Sequence, residues 1–199
     1  MPNQLKYGNI VNEDGQLKPS SNFEEFYQWA GLGPGKKVLD LGCGYGRNYI
    51  AFNEKGCKAY GLDLSEEALS HAKKSLGGNG TSIRLVKGDI GSLPFRDGSF
   101  DTVYANAIPA KDVIDKFNGL SRLLRNGGKA YIKLIQGVEH QDTVEHPEYK
   151  ALDFMHSLEE IKGWFDRDSG IIFEELFPAM EQGENGFQLT YKAVVRIEK

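Results

Sequence analysis

Val38-Leu39-Asp40-Leu41-Gly42-Cys43-Gly44-Tyr45-Gly46-Arg47-Asn48 is the stretch whose reading decides the fold. It begins as a short apolar run with one embedded carboxylate, Asp40. Glycines follow on alternate positions, and Tyr49, Ile50, Ala51 and Phe52 then open a helical pattern. The order is strand, glycine turn, helix. Glycine allows backbone conformations and close approaches that a Cβ blocks. Between a buried strand and a helix N-terminus, such a turn is expected to bring a ligand directly against main-chain amides. An ordinary tight turn asks for one glycine, not three in alternation.

Two other loops are excluded by position. The dinucleotide fingerprint G-x-G-x-x-G needs glycine at position 47, where Arg47 stands, so NAD ranks second. A phosphate-cradling G-x-x-x-x-G-K-[ST] ending at Gly35-Lys36 fails at Ala30 and Lys37, and it precedes the strand instead of following it. ATP and GTP chemistry is therefore not expected.

The sequence around this stretch has 199 residues, of which 40% are hydrophobic and 26% charged, enough for one globular domain with a sizeable core. A net charge of -4 offers no general attraction to a phosphate backbone, so no nucleic-acid partner is expected. No apolar run approaches a membrane span and no signal peptide opens the sequence. Cys43 and Cys57 have no metal-ligand spacing, and a cytoplasmic setting is the expectation. Cys43 reads as a small packing residue rather than a nucleophile, since no base partner is indicated.

Asp40-Leu41-Gly42-Cys43-Gly44-Tyr45-Gly46 resembles the first motif of the class I S-adenosylmethionine-dependent methyltransferases. The resemblance covers about residues 36–135 well and the rest loosely. It implies a cofactor, S-adenosylmethionine, held by Asp40, Gly42, Gly44, Asp63, Leu64, Asp89, Ile90 and Ala105. The local chemistry agrees at several of these positions. Asp63 ends a second short strand, Lys58–Asp63, twenty-three residues after Asp40, where an acidic side chain takes a ribose hydroxyl pair. Ser65 caps the next helix, with Glu66 and Glu67 in its first turn, which leaves Asp63 free for a ligand. Asp89, after a third strand over 82–86, is a chemically suitable acceptor for the adenine amine, and Ile90 for packing on the ring. Leu93 to Asp101 is a run familiar from the same family.

A fourth strand, Thr102 to Ala105, places Ala105 and Asn106 toward the methionine end of the cofactor, because open α/β sheets bind ligands outside their strands' carboxyl ends. Amino-methylating nucleic-acid enzymes carry Asn/Asp-Pro-Pro-aromatic here. The sequence Asn106-Ala107-Ile108-Pro109 departs from it, and no histidine is present to act as base. No catalytic residue is therefore assigned. Arg47-Asn48 is similar to the branch of tellurite-resistance and thiopurine-type methyltransferases, without fixing an acceptor.

The remaining expectations concern organisation. Residues 1–19 read as a loose N-terminal arm, with Tyr7 as a cofactor contact if the arm folds over. Ser21-Asn22-Phe23-Glu24 reads as a capping box opening a short aromatic helix. Helices are expected over 47–55, 66–76 and 111–124, with a turn at 77–80 and His71 solvated. A fifth strand spans Lys129 to Ile135. Residues 136–156 interrupt the pattern with His140, His146, Tyr149 and Phe154, and read as a substrate lid rather than a metal site. Ser157-Leu158-Glu159-Glu160 opens a further helix through Trp164 and Phe165. A strand over 170–177 follows, and then Phe187, Leu189, Tyr191, Ala193, Val195 and Ile197 alternate cleanly as a last strand. The expected architecture is one α/β methyltransferase domain over 1–199: a Rossmann-like, doubly wound sheet of seven strands, the last antiparallel.

The expected function is S-adenosylmethionine-dependent methyl transfer to a small-molecule acceptor. Two other readings compete: a non-catalytic adenosine-ligand binding subunit, and a nucleotide-dependent oxidoreductase.

Overall fold

The structure is a computed structural model that describes residues 16–76, 82–109, 120–139, 171–183 and 186–198. Tyr7, the turn at 77–80, His140, His146, Tyr149, Phe154 and the segment around Trp164 and Phe165 lie outside the described residues. So does the helix expected over 111–124, apart from its last turn.

The chain enters through α1 (Phe23–Trp29), then β1 (Lys37–Leu41), α2 (Arg47–Glu54), β2 (Lys58–Asp63) and α3 (Glu66–Ser75). It continues through β3 (Leu85–Lys87), β4 (Phe100–Pro109), the short turn of helix α4 (Leu120–Leu123) and β5 (Leu124–Glu139). The hairpin strands β6 (Ile171–Gly183) and β7 (Gly186–Glu198) end it. The sheet order is β3-β2-β1-β4-β5-β7-β6. The first five of these strands pair in parallel. β7 pairs antiparallel with both β5 and β6. The α/β, Rossmann-like expectation holds for the parallel part, and the strand order reverses between β1 and β4, beside the glycine loop.

The strands alternate between two cores, as a sheet covered on both faces requires. On one face Leu39, Leu41, Leu62, Val103, Ala105 and Ile132 pack with Leu120, Leu123 and Leu124. On the other, Val38, Ala59, Tyr104 and Tyr131 pack with Phe23 and Phe26 of α1 and Tyr49 and Phe52 of α2. The second core is aromatic. Phe26 lies 4.4 Å from Tyr104, ring centre to ring centre, and Phe23 lies 4.8 Å from Phe52.

Several expected boundaries move for identifiable reasons. The capping box at Ser21 does not form. Asn22 is the N-cap of α1 without a side-chain cap bond, because its amide is turned inward to Tyr131 and Tyr104. The third strand covers Leu85–Lys87 instead of 82–86, since the main-chain N–H of Arg84 donates to the Tyr49 hydroxyl. The fourth and fifth strands outrun their expected ends on one-sided ladders: the end of β4 continues against β5 past the end of β1, and the end of β5 continues against β7 past the end of β4. β5 therefore absorbs residues 136–139 of the expected insertion. The cap of α3 is as expected: Ser65 Oγ accepts from the Ala68 N–H at 3.1 Å.

Candidate functional site

Register brings the candidate residues to one end of the sheet. Asp40 lies opposite Gly61 of β2 and Tyr104 of β4. Asp63 ends β2 opposite Lys87 of β3, and the Gly88 N–H donates to its main-chain oxygen at 3.0 Å. Asp40, Asp63 and Asp89 are thus carried at the carboxyl ends of three neighbouring strands, around the turn that joins β1 to α2.

The three glycines of that turn all have positive φ, but for different reasons. A Cβ on Gly46 would lie 2.8 Å from Ala72 Cβ, so this glycine lets α2 pack on α3. A Cβ on Gly44, whose φ is +52°, would meet no protein atom within 4 Å. That side of the loop faces open space.

The loop amides do not wait for a ligand. Gly42 and Cys43 donate to the Leu62 carbonyl at 2.8 and 3.1 Å, and Gly46 donates to the Cys43 carbonyl at 2.9 Å. Gly44 donates to Asp63 Oδ2 at 2.7 Å. This corrects the expectation that a ligand rests on these amides. It also corrects the expectation of a free Asp63, whose Oδ1 accepts from the Ser65 N–H at 2.8 Å. Asp63 staples the loop to the start of α3. Each carboxylate oxygen has a second lone-pair site, so acceptor capacity remains.

Asp40 is 2% exposed. The main-chain N–H of Tyr49 lies beside its carboxyl, and Oδ2 is buried without a hydrogen-bond partner among the described residues. Burial pushes its pKa up to about 8, against the opposing pull of the nearby Arg47 guanidinium. Asn106 Oδ1 is a second buried oxygen without a partner among the described residues. It lies two residues beyond Tyr104 on the same strand, hence on the sheet face that carries Asp40. Two unsatisfied acceptors at one end of one face are costly unless something donates to them.

Other candidates sort as follows. Leu64 is 62% exposed beside Asp63. Asp89 Oδ1 accepts from the Gly91 N–H at 2.7 Å in an Asx turn, and Ile90 packs partly on the Leu62 core. Ala105 is fully buried on the face opposite Asp40. Cys43 is a packing residue as expected: it is buried, and burial raises its thiol pKa. His71 is exposed, with its ring 5.2 Å from that of Tyr45.

A cluster the sequence reading missed lies beneath the loop. Ser20 N and Oγ both donate to Asn48 Oδ1, at 2.9 and 3.0 Å. Ser20 Oγ lies 2.7 Å from the Tyr104 hydroxyl, which donates to Asn22 Oδ1 at 3.1 Å. Asn22 Nδ2 donates to the Tyr131 hydroxyl at 2.9 Å. One signal existed: Asn48 falls on the buried side of α2 with Tyr49, Ala51 and Phe52, where an amide must find partners.

A family model for a methyltransferase domain matches residues 38–128. Sterol 24-C-methyltransferase ERG6B of Gibberella zeae is 35% identical over 105 residues, 49% of this chain and 27% of that protein. The arsenite methyltransferase of Halobacterium salinarum is 32% identical over 126 residues, 59% of this chain and 32% of that protein. The chain spans less than half the length of these curated relatives. The YcgJ protein of Bacillus subtilis superposes with a TM-score of 0.68 at 16% identity, over 89% of this chain and 97% of that one. A SAM-dependent methyltransferase from Aquifex aeolicus does so with a TM-score of 0.59 at 19% identity, over 87% and 89%. These two likenesses show the fold.

Proposed function

We propose, from the match of residues 38–128 to a methyltransferase-domain model, that the chain transfers a methyl group from S-adenosylmethionine to a small-molecule acceptor. The observation that carries this reading is the state of the glycine loop. The amides of residues 42, 43, 44 and 46 are all engaged within the protein, and three carboxyl groups stand around the loop. A pyrophosphate needs free N–H groups and suffers beside carboxylates. A ligand rich in hydroxyls and ammonium protons gains from the same surroundings. The oxidoreductase reading is disfavoured on this ground.

The residues fit the cofactor as follows. Asp63 retains acceptor capacity for the ribose hydroxyls, and Leu64 offers an apolar side chain beside it. Asp89 and Ile90 serve the adenine. The unsatisfied oxygens of Asp40 and Asn106 suit the amino end, and the open side of Gly44 gives the approach. Ala105 has no exposed surface, so its contribution is to floor the strand end. When bound, S-adenosylmethionine supplies a methyl group on a positively charged sulfur. The chain's own task is to hold donor and acceptor in line, which by itself removes much of a bimolecular barrier. A thiol, an amine or an already anionic acceptor needs no protein base, and the described residues present none that is assignable. The negative net charge favours a small acceptor over nucleic acid.

The hairpin β6–β7 is part of the same proposal, as the closing strands of a seven-stranded family sheet with its last strand antiparallel. The ladders of β7 to β5 and β6 support it. Cys43 and Cys57 are free and buried, which suits a reducing, cytoplasmic setting. Among the described residues no helix is long and apolar enough to cross a membrane.

Calorimetric titration with S-adenosylmethionine, S-adenosylhomocysteine and NAD tests the ligand class, and a labelled-methyl screen over small acceptors tests the reaction. Binding of the first two and not of NAD is expected. Asp63→Ala should weaken that binding by about 1.5–3 kcal/mol, the range for hydrogen bonds to a charged group. Unchanged affinity in this variant would remove Asp63 from the site.

A further inference from the structure

We propose that Ser20 is a positioning residue for the glycine loop: from the segment ahead of α1 it holds Asn48, and through Asn48 the first turn of α2, in the arrangement that admits the cofactor. The affinity part of this proposal rests on the methyltransferase reading. The mechanical part does not.

The loop from Gly42 to Gly46 is suspended between two anchors. One is Leu41, fully buried in β1 and laddered on both sides. The other is the first turn of α2, which two adjacent residues grip from different directions. The main-chain N–H of Tyr49 lies beside the Asp40 carboxyl of β1 and favours its ionised form. The Asn48 side chain instead reaches the segment before α1, where Ser20 donates to it twice. Residues 46 and 50 complete that turn, since the Ile50 N–H donates to the Gly46 carbonyl at 2.8 Å.

Ser20 is well suited to this task because it is itself over-determined. It is 7% exposed, its carbonyl accepts from the Phe23 N–H at 2.9 Å, and its hydroxyl lies against Tyr104 of β4. Two hydroxyl protons, on Ser20 and Tyr104, serve three contacts: to Asn48, between the hydroxyls, and to Asn22. Whichever contact lacks a proton, the main-chain N–H of Ser20 still donates to Asn48. The side-chain bond adds direction to that hold. Tyr104 also stands opposite Asp40, so the serine ties the loop's helix to the strand that carries Asn106.

A serine that merely filled the core would influence overall stability without a preference for the loop. The test therefore compares amide hydrogen exchange in the unliganded full chain, wild type against Ser20→Ala. Exchange at Gly46 and Ile50, whose amides donate to the Cys43 and Gly46 carbonyls, should quicken by about fivefold to tenfold, the loss of one buried hydrogen bond, while amides of β1 and β4 keep their rates. Tyr104→Phe removes only the hydroxyl behind Ser20 and should shift the same amides in the same direction. It carries the test if Ser20→Ala does not fold. S-adenosylhomocysteine should bind each variant about fivefold to tenfold more weakly than wild type.

Unchanged loop exchange in the folded variants overturns the proposal, as does faster loop exchange with wild-type affinity. If the wild-type chain binds no S-adenosylhomocysteine, the methyltransferase reading falls, and the exchange comparison alone decides whether Ser20 holds the loop.

Discussion

Asp40 is a carboxylic acid in a place where its charge is costly. It is buried, and Oδ2 finds no donor. Burial moves its pKa to about 8, partly opposed by Arg47 and reinforced by the nearby Asp63. The sign of the linkage follows. Because the folded pKa is raised, the native chain binds a proton that the unfolded chain releases. The stability this provides is fully present below about pH 4 and is lost as pH rises through the folded pKa near 8. A cationic amino group beside Asp40 reverses the preference and favours the ionised form. Cofactor binding at neutral pH should therefore release a proton from this site. The affinity for S-adenosylhomocysteine should climb with pH, by at most about tenfold per unit, and level off above about pH 8. Asp40→Asn, which cannot ionise, should abolish the climb. Calorimetry in buffers of different ionisation enthalpy reads the proton directly, and a wild-type profile as flat as that of the variant would refute the assignment of Asp40 to the amino end.

At the scale of the element, the glycine loop shows what the sequence made legible and what it did not. Strand, turn and helix follow from the apolar run, the alternating glycines and the helical spacing after them, since each is a local pattern. Asp63 at the end of β2 follows from spacing too. The engagement of the loop amides does not, because it depends on Leu62 and Asp63 arriving from the neighbouring strand. The Ser20–Asn48 contact is harder still: its partners are twenty-eight residues apart, and Ser20 lies in no recognisable motif. The loop also separates two kinds of glycine, and substitution distinguishes them. A side chain on Gly46 would collide with Ala72, so Gly46→Val should destabilise the fold itself, by about 1–3 kcal/mol for the overpacking alone. At Gly44 the Cβ points to open space, so Gly44→Val should cost about 1–2 kcal/mol of backbone strain while removing cofactor binding. Melting temperature and S-adenosylhomocysteine titration on both variants separate the effects. A Gly44→Val chain that binds normally would mean that the space above the loop is not the ligand's.

Across the whole molecule, sheet direction decides where acceptor choice resides. β5 runs parallel to β4, so it ends at the same edge as the glycine loop, and Glu139 is its last residue. The next strand among the described residues, β6, begins at Ile171 and runs in the direction of β5, because β7 is antiparallel to both. The intervening chain thus starts at the ligand edge and must reach the opposite one, and it is far longer than the usual connection. Its first part carries His140, His146, Tyr149 and Phe154, a mixture of aromatic and ionisable groups that suits shielding a reacting centre while offering polar contacts. Every residue assigned to the cofactor, by contrast, lies on the parallel strands or in the turns directly after them. We therefore propose that donor affinity and acceptor choice are divided between the parallel half of the sheet and the segment after β5. Replacing residues 140–148 with a short Gly-Ser linker should leave S-adenosylhomocysteine affinity within about threefold, under 1 kcal/mol, while transfer to a confirmed acceptor falls by at least about a hundredfold, the scale on which lost positioning is felt. Transfer at the original rate would exclude this segment from the acceptor site, and a collapse of cofactor affinity would show that it belongs to the donor site instead.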